Sequence, residues 1–424
     1  MRSGPSPSEQ LCCGIATAPN ECAIRLTWFT WAGFFAAVCL VFFCKETGLP
    51  VNHAYARGAQ CWFERTDLYG VEGGFIYLPQ SAIVYTPFYL LNGAGEQIAW
   101  RLVTVGLFAL GVFRLSQLAG AGNQVEFFPL VTLLVLPKTW TCAYSGQATL
   151  AMAGLSMLAL GAVVRRNWWT AAAFLIAALA FKPLAAVLLL LASALYAPLR
   201  GRVVLGLILF AAAPYATQDM AYVNQQYVAA VSMMDQAAKV GLAPEWAQLF
   251  SLSHLAGWPV PAGWQPMLRV AAAAGVWILC RQVCDQTAAG DELRNESSRE
   301  PGWLTILSLA TTYLLLFNPR TENNTYVLLA PVLAIQCVRA WLVEQRRFRA
   351  ALVLAAAIAV VGGHEFCCWL TPEAGFIWVC PLVCLLVAID CALGASVAAR
   401  RAATSRSDTP SIAAPIYCPT PAAR

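Results

Sequence analysis

Three polar islands interrupt an otherwise apolar chain, and their residue types suit chemistry between an anion and a hydroxyl group. The first is Lys182, set between apolar stretches in Ala177-Ala178-Leu179-Ala180-Phe181-Lys182-Pro183-Leu184. An ammonium at bilayer depth costs at least about 2.5 kcal/mol, so it needs an anionic partner such as a phosphate, or it must snorkel to the interface. The second island is Asn318-Pro319-Arg320-Thr321-Glu322-Asn323-Asn324-Thr325-Tyr326. Pro319 ends one helix there, and Thr321 or Asn323 can cap the next. Arg320 and Glu322 either pair with each other or leave the guanidinium free to hold an anion. Asn323-Asn324-Thr325 also reads as a glycosylation sequon, discounted because it lies close to the membrane. The third island runs from Val51 to Gly70 and continues into Tyr77-Leu78-Pro79 and Thr86-Pro87-Phe88. Its carboxylates, with those beside it, are Glu46, Glu64, Asp67 and Glu72. Singly they read as solvated loop charges; beside interfacial aromatic residues they are material for a general base, with Asp67, Glu64 and Glu46 as the candidates.

The elements that must position these islands are membrane helices. Of 424 residues, 59% are hydrophobic and only 12% charged, too few charges to cover a soluble domain of this size. Apolar stretches fall near 27–44, 97–113, 126–143, 147–164, 168–181, 184–199, 203–218, 267–283, 301–317, 325–342, 350–366 and 376–397. The expected fold is therefore an all-α, polytopic membrane protein with about twelve transmembrane helices, in a range of about 10 to 13. The stretches flanking Lys182-Pro183 could instead form a hairpin that never fully crosses. The segment from His53 to Phe63 can form an amphipathic helix at the interface. Leu78 to Leu91, broken by Pro87, suggests a juxtamembrane or re-entrant helix.

Clustered cations set the orientation. Arg165-Arg166, Arg200, Arg202, Arg346-Arg347-Arg349 and Arg400-Arg401 all fall at one end of the apolar stretches. By the positive-inside rule that end is cytoplasmic, with the N-terminus. The three islands and the turn Ser145-Gly146-Gln147 then face outward. Isolated cations such as Lys45, Lys138 and Arg101 run against the trend without overturning it. The expected organisation is a cytoplasmic segment over 1–26, one membrane domain over 27–397 and a disordered cytoplasmic tail over 398–424. Residues 1–25 lack the continuous apolar core of a removable signal.

A net charge of +5, spread over short loops, offers no surface for nucleic acid. The 16 cysteines do not form a metal pattern: half lie inside apolar stretches, and Cys12-Cys13 and Cys367-Cys368 are adjacent pairs without the two-residue gap of a zinc knuckle. His53, His254 and His364 are far apart, so neither a metal nor another cofactor is expected.

An ordered set of motifs resembles glycosyltransferase family 87, multi-pass enzymes of the C-type glycosyltransferase fold related to polyprenyl-phosphate-mannose-dependent mannosyltransferases. The set comprises Gly58-Ala59-Gln60 with Trp62, Asp67-Leu68-Tyr69, the Tyr77-Leu78-Pro79 and Thr86-Pro87-Phe88 segment, Ser145-Gly146-Gln147, Leu179 to Pro183, and Asn318-Pro319-Arg320 before Tyr326-Val327-Leu328-Leu329. It covers roughly Leu26 to Trp341. The resemblance implies transfer of mannose or a related sugar from a polyprenyl-phosphate donor to a lipid or glycan acceptor at the outer membrane face, without a nucleotide sugar or metal. In such enzymes an aspartate of the first outside loop deprotonates the acceptor. Its place is held here by Val51-Asn52-His53, so the base has moved to Asp67, Glu64 or Glu46, or activity is altered or lost. Lys182 and Arg320 would then stabilise the leaving phosphate. Gln147 and Asn318 would hydrogen-bond sugar hydroxyls, Trp62 or Tyr69 would stack on a sugar face, and Leu78 to Leu91 would border a lipid access groove.

A transporter or lipid flippase is the competing class. Such folds carry internal repeats and place ionisable groups at mid-membrane. No repeat is evident here, and the ionisable residues gather at one face. A non-catalytic relative acting in envelope assembly is a third class, favoured by the missing aspartate.

Overall fold

The computed structural model describes residues 18–45, 51–70, 75–120, 127–239, 246–290, 301–372, 375 and 377–407. Every regular element among them is helical. In chain order these are α1 (Ala18–Cys44), α2 (Asn52–Glu64), α3 (Pro79–Tyr89), α4 (Gly93–Gly120), α5 (Phe127–Tyr144), α6 (Thr149–Val164), α7 (Trp168–Phe181) and α8 (Ala186–Leu195). They continue as α9 (Ala197–Ala212), α10 (Met220–Lys239), α11 (Leu249–Leu255), α12 (Gln265–Gly290), α13 (Gly302–Phe317), α14 (Ala330–Leu342), α15 (Arg347–Val361), α16 (Gly363–Leu370) and α17 (Val379–Ser407). Short 3-10 turns occupy Pro183–Ala185, Ala213–Ala216, Ala262–Trp264 and Asn323–Leu328.

Each of the twelve apolar stretches contains a helix, but not each helix is a span. Among the described residues, seven segments are long and apolar enough to cross a membrane: Glu21–Cys44, Gly93–Gly120, Phe127–Tyr144, Ala197–Ala216, Ala262–Gln286, Asn323–Leu342 and Val379–Val397. Taken together, α15 and α16, bent by 82°, make an eighth. The expectation of about twelve falls short at α6, α7, α13 and the segment Pro183–Leu195. Sixteen residues rise only about 24 Å against a hydrocarbon core of about 30 Å. Apolar length alone misleads at α6, where all but Leu160 and Val164 are buried: its surroundings are other helices.

Tertiary contacts make α6 the hub, packed on α4 and α7, while α14 packs on α15 and α5, and α13 on α17. Glycine permits the closest crossing. A Cβ on Gly154 would stand 2.3 Å from the backbone oxygen of Leu107, and one on Gly111 2.9 Å from Gly154 Cα. Where apolar surroundings supply no hydrophobic drive between helices, such backbone approach supplies the van der Waals contact that holds them. The periphery differs. Phe29 on α1, Leu209 on α9, Met267 and Val270 on α12 and Leu393 on α17 are more than half exposed. Apolar bands of this kind suit hydrocarbon rather than water.

The two bundle ends carry different polar groups. At one, Arg339 Nη1 donates to Ala119 O (3.4 Å), and Arg349 meets Glu344 (3.3 Å) and Asp390 (3.4 Å). At the other, Val51 N donates to Ser145 O (3.0 Å), bringing the start of α2 to the α5–α6 turn. The chain from Leu78 to Leu91 forms α3, whose 11 residues rise about 16 Å and do not cross. Helix α17 continues beyond 397 to Ser407, ten residues into the segment expected as a disordered tail; 408–424 and 1–17 lie outside the described residues.

Candidate active site

Two proline-directed breaks shape the site. Proline bars the preceding residue from the α region. Lys182 (φ −148°, ψ 132°) and Asn318 (φ −69°, ψ 130°) are accordingly extended and terminate α7 and α13. A third break is the α5–α6 turn, where Gly146 takes φ +65° and lies against Asn52; a Cβ there would stand 2.9 Å from Asn52 Oδ1. Glycine is the residue for such a left-handed, crowded position.

These breaks bring Lys182, Gln147 and Glu322 together. Lys182 Nζ donates to Thr149 Oγ1 (2.8 Å), Thr149 Oγ1 donates to Gln147 Oε1 (3.2 Å), and Gln147 Nε2 donates to Glu322 Oε2 (3.2 Å). The directions are forced by chemistry. An ammonium only donates and a carboxylate only accepts, so the amide nitrogen faces Glu322 and its oxygen faces Thr149. Thr149 is fully buried and Gln147 nearly so, whereas Lys182 is half-buried and Glu322 exposed. The result is a fixed neutral bridge with an accessible charge at each end.

A second ammonium joins from α5. Lys138, 2% exposed, donates from Nζ to Asn323 Oδ1 (2.9 Å), next in sequence to Glu322. Cys380 Sγ donates to the same oxygen (3.3 Å), and Cys142 Sγ donates to Asn324 O (3.0 Å). Gly363 admits this packing, since a Cβ there would stand 2.2 Å from Cys380 Sγ. Among the described residues, Lys138, Lys182 and Glu322 make no ion pair with one another or with any other charge. Tyr55 of α2 approaches from the side, its hydroxyl 3.5 Å from Phe181 O and its ring stacked on Tyr77 at 4.3 Å. Burial first, then Tyr77 and the charge of Glu322, push its phenol well above the usual tyrosine range.

Other sequence candidates lie elsewhere or are occupied. Asn318 Nδ2 donates to Thr321 Oγ1 (3.2 Å), bracing its own turn. Arg320 does not pair with Glu322; its guanidinium carbon stands 5.7 Å from the Trp246 ring centroid, and its buried Nε has no partner. Trp62 is buried with its ring against Tyr222 (5.4 Å), leaving no open face to stack on a sugar. Tyr69 donates its hydroxyl to Tyr77 O (2.7 Å), and burial raises its phenol. Asp67 is exposed, and its Oδ1 accepts from Tyr69 N (3.1 Å) in a local turn. Glu64 is also exposed and accepts from Gln60 Nε2 (2.9 Å). Neither carboxylate is hydrogen-bonded to the Lys182 cluster, and Glu46 lies outside the described residues. Sequence reading missed Thr149, Lys138 and the separate course of Glu322. Lys138, a lone lysine inside an apolar run, carried the same signal that singled out Lys182.

Asn52, at the place where the resemblance leads one to expect an aspartate, is fully buried. Its Nδ2 donates to Tyr85 OH (2.8 Å) and Gln97 Oε1 (2.9 Å), while Tyr85 OH donates to Glu96 Oε1 (2.8 Å). Arg101, also fully buried, donates to Gln97 Oε1 (2.7 Å) and Tyr144 O (2.6 Å). This network ties α2, α3 and α4 to the α5–α6 turn.

Two ammoniums and the N-terminus of α6 therefore converge beside the hydrogen-bonded carboxylate of Glu322, with the exposed Glu365 carboxylate of α16 also acting on Lys138, an arrangement that holds cations and a proton acceptor in one place. Among the described residues no group of three or more His, Cys, Asp or Glu is placed to hold a metal. No family model, curated protein or solved structure matches the chain.

Proposed function

We propose that this chain is a multi-pass membrane glycosyltransferase of the C-type fold, moving mannose or a related sugar from a polyprenyl-phosphate donor to a lipid or glycan acceptor. In this reading the N-terminus is cytoplasmic and the Lys182 cluster faces outward in the cell membrane. The observation that carries it is the fate of Lys182: it does not extend away but donates to Thr149 in a bridge that ends on Glu322. A cation held by a neutral hydroxyl keeps its charge available to a phosphate. As the sugar–phosphate bond breaks, negative charge grows on the leaving polyprenyl phosphate, and preorganised donors at that point lower the barrier. Lys182 is suited to that task, and the buried Lys138, whose charge reaches the same Cys142, adds to the field there; Arg320 is turned to Trp246.

Membranes containing the protein, supplied with radiolabelled polyprenyl-phosphate mannose, are expected to pass label to a lipid or glycan fraction that control membranes leave unlabelled. Absence of transfer with mannose, glucose and arabinose donors would remove this reading. A non-catalytic role in envelope assembly is the second reading, and Asn52 favours it: the residue is neutral and fully buried where the family has its acid.

A further inference from the structure

We infer that Glu322 is the general base of this site, taking the proton from the acceptor hydroxyl. The assignment rests on the transferase reading above and replaces Asp67, Glu64 and Glu46 in that role.

Position separates Glu322 from the other described carboxylates of this end: Glu365, exposed on α16, acts on Lys138, but Glu322 is the one that Gln147 ties to the Lys182 bridge. Asp67 and Glu64 are committed to their own loop and helix end. Glu96 is buried at 9% exposure and accepts from Tyr85 within the Asn52 network. Glu322 is exposed, has one oxygen oriented by Gln147 and leaves the other free to accept. Its sequence neighbour Arg320 is turned to Trp246, so no guanidinium neutralises it. A carboxylate in a tight ion pair has both oxygens committed; one oriented by a single amide keeps a lone pair in position to accept a proton. Tyr55, the other oxygen nearby, holds its proton at neutral pH because burial disfavours the phenolate.

The bridge also sets the spacing. Three hydrogen bonds stand between the ammonium and the carboxylate, and the assignment sets the donor phosphate at Lys182, the acceptor hydroxyl at Glu322 and the sugar between them. The acceptor oxygen forms a bond to the anomeric carbon as the bond from that carbon to the phosphate oxygen breaks. The electron pair of the broken bond leaves with polyprenyl phosphate, which Lys182 and Lys138 stabilise. The acceptor proton passes to Glu322 and then to solvent, and no oxidant or metal enters the balance. Gln147 and Thr149 act through the two charges and are positioning residues.

The test uses the full chain in membranes with radiolabelled polyprenyl-phosphate mannose as donor. Glu322→Gln preserves shape and still presents an oxygen to Gln147. It is expected to lower kcat at least about 100-fold, within the range for loss of a general base, with donor KM changed less than about twofold. The acid limb of the pH–rate profile, set in the wild type by one carboxylate, should flatten in its residual activity. Glu322→Asp should retain transfer at reduced kcat and keep that limb. An active wild type with Glu322→Gln within about threefold of it and the same acid limb overturns the assignment while leaving the transferase reading intact. A wild type silent with every donor overturns both. If Glu322→Gln does not fold, as judged by its elution and melting in detergent, Glu322→Asp decides: lowered kcat at constant KM supports the assignment, and unchanged kcat overturns it.

Discussion

At one end of the bundle, arginines are satisfied by opposite charge: Arg349 reaches both Glu344 and Asp390, and Arg281 reaches Asp285. At the other, Lys182, Lys138 and Glu322 are each held by a neutral partner, Thr149, Asn323 and Gln147. The difference is informative because ion pairs were available to both. Charges that compensate each other fix a structure; of the three held by neutral partners, Lys182 and Glu322 remain open to a ligand, while Lys138 is buried and acts through its charge. Among the described residues of the site-end loops, the ion pair Arg65–Asp219 at 3.7 Å is exposed on both sides and lies outside the cluster.

The sharpest way to break the contrast is to remove one charge from each end. Lys182→Met should lower transfer at least about 100-fold, the effect of losing one preorganised donor to a developing charge. Arg349→Ala should leave transfer within about twofold and cost about 0.2–1 kcal/mol in detergent unfolding, as a partly exposed pair does. Equal effects of the two on transfer would erase the contrast.

Asn52→Asp tests whether the buried amide network is scaffold or a dormant acid. A carboxylate there would be fully buried, face Gln97 Oε1 and lie one phenol away from Glu96. The expected outcome is a loss of about 1–3 kcal/mol by thermal unfolding, the cost of a badly partnered buried polar group, and no gain in transfer. A rise in transfer would make Asn52 a lost catalytic position instead. Among the residues of the site, a smaller loss of transfer than for Lys182→Met is expected for Gln147→Leu, which removes the bridge but neither charge. About a 10-fold fall is expected, spread over kcat and KM as both ends lose orientation.

Much of this was legible in the sequence where local physics decides. The breaks at Lys182-Pro183 and Asn318-Pro319 follow from proline's effect on the residue before it, and both stand where expected. Gly146 marks its turn for an equally local reason. The span count was not legible. Whether a 16-residue apolar helix such as α6 meets lipid or other helices depends on partners that apolarity does not name. Nor could sequence distance pair the charges of the second island. Arg320 and Glu322 are two residues apart, yet the extended backbone between them sends one to Trp246 and the other to Gln147. Among carboxylates, Asp67 was conspicuous for its aromatic neighbours, and those neighbours fold it into a turn of its own.

The bridge from Lys182 to Glu322 has a further property as a conductor. A hydroxyl such as that of Thr149 can receive one proton and release another, so a row of hydroxyls or waters would let the ammonium discharge into the carboxylate. The Gln147 amide carries hydrogen bonds on both sides yet cannot hand a proton through without becoming an imidic acid. Gln147 is thus an insulator between an ammonium and a carboxylate that share one network, so a proton on Glu322 comes from the acceptor and not along the bridge from Lys182.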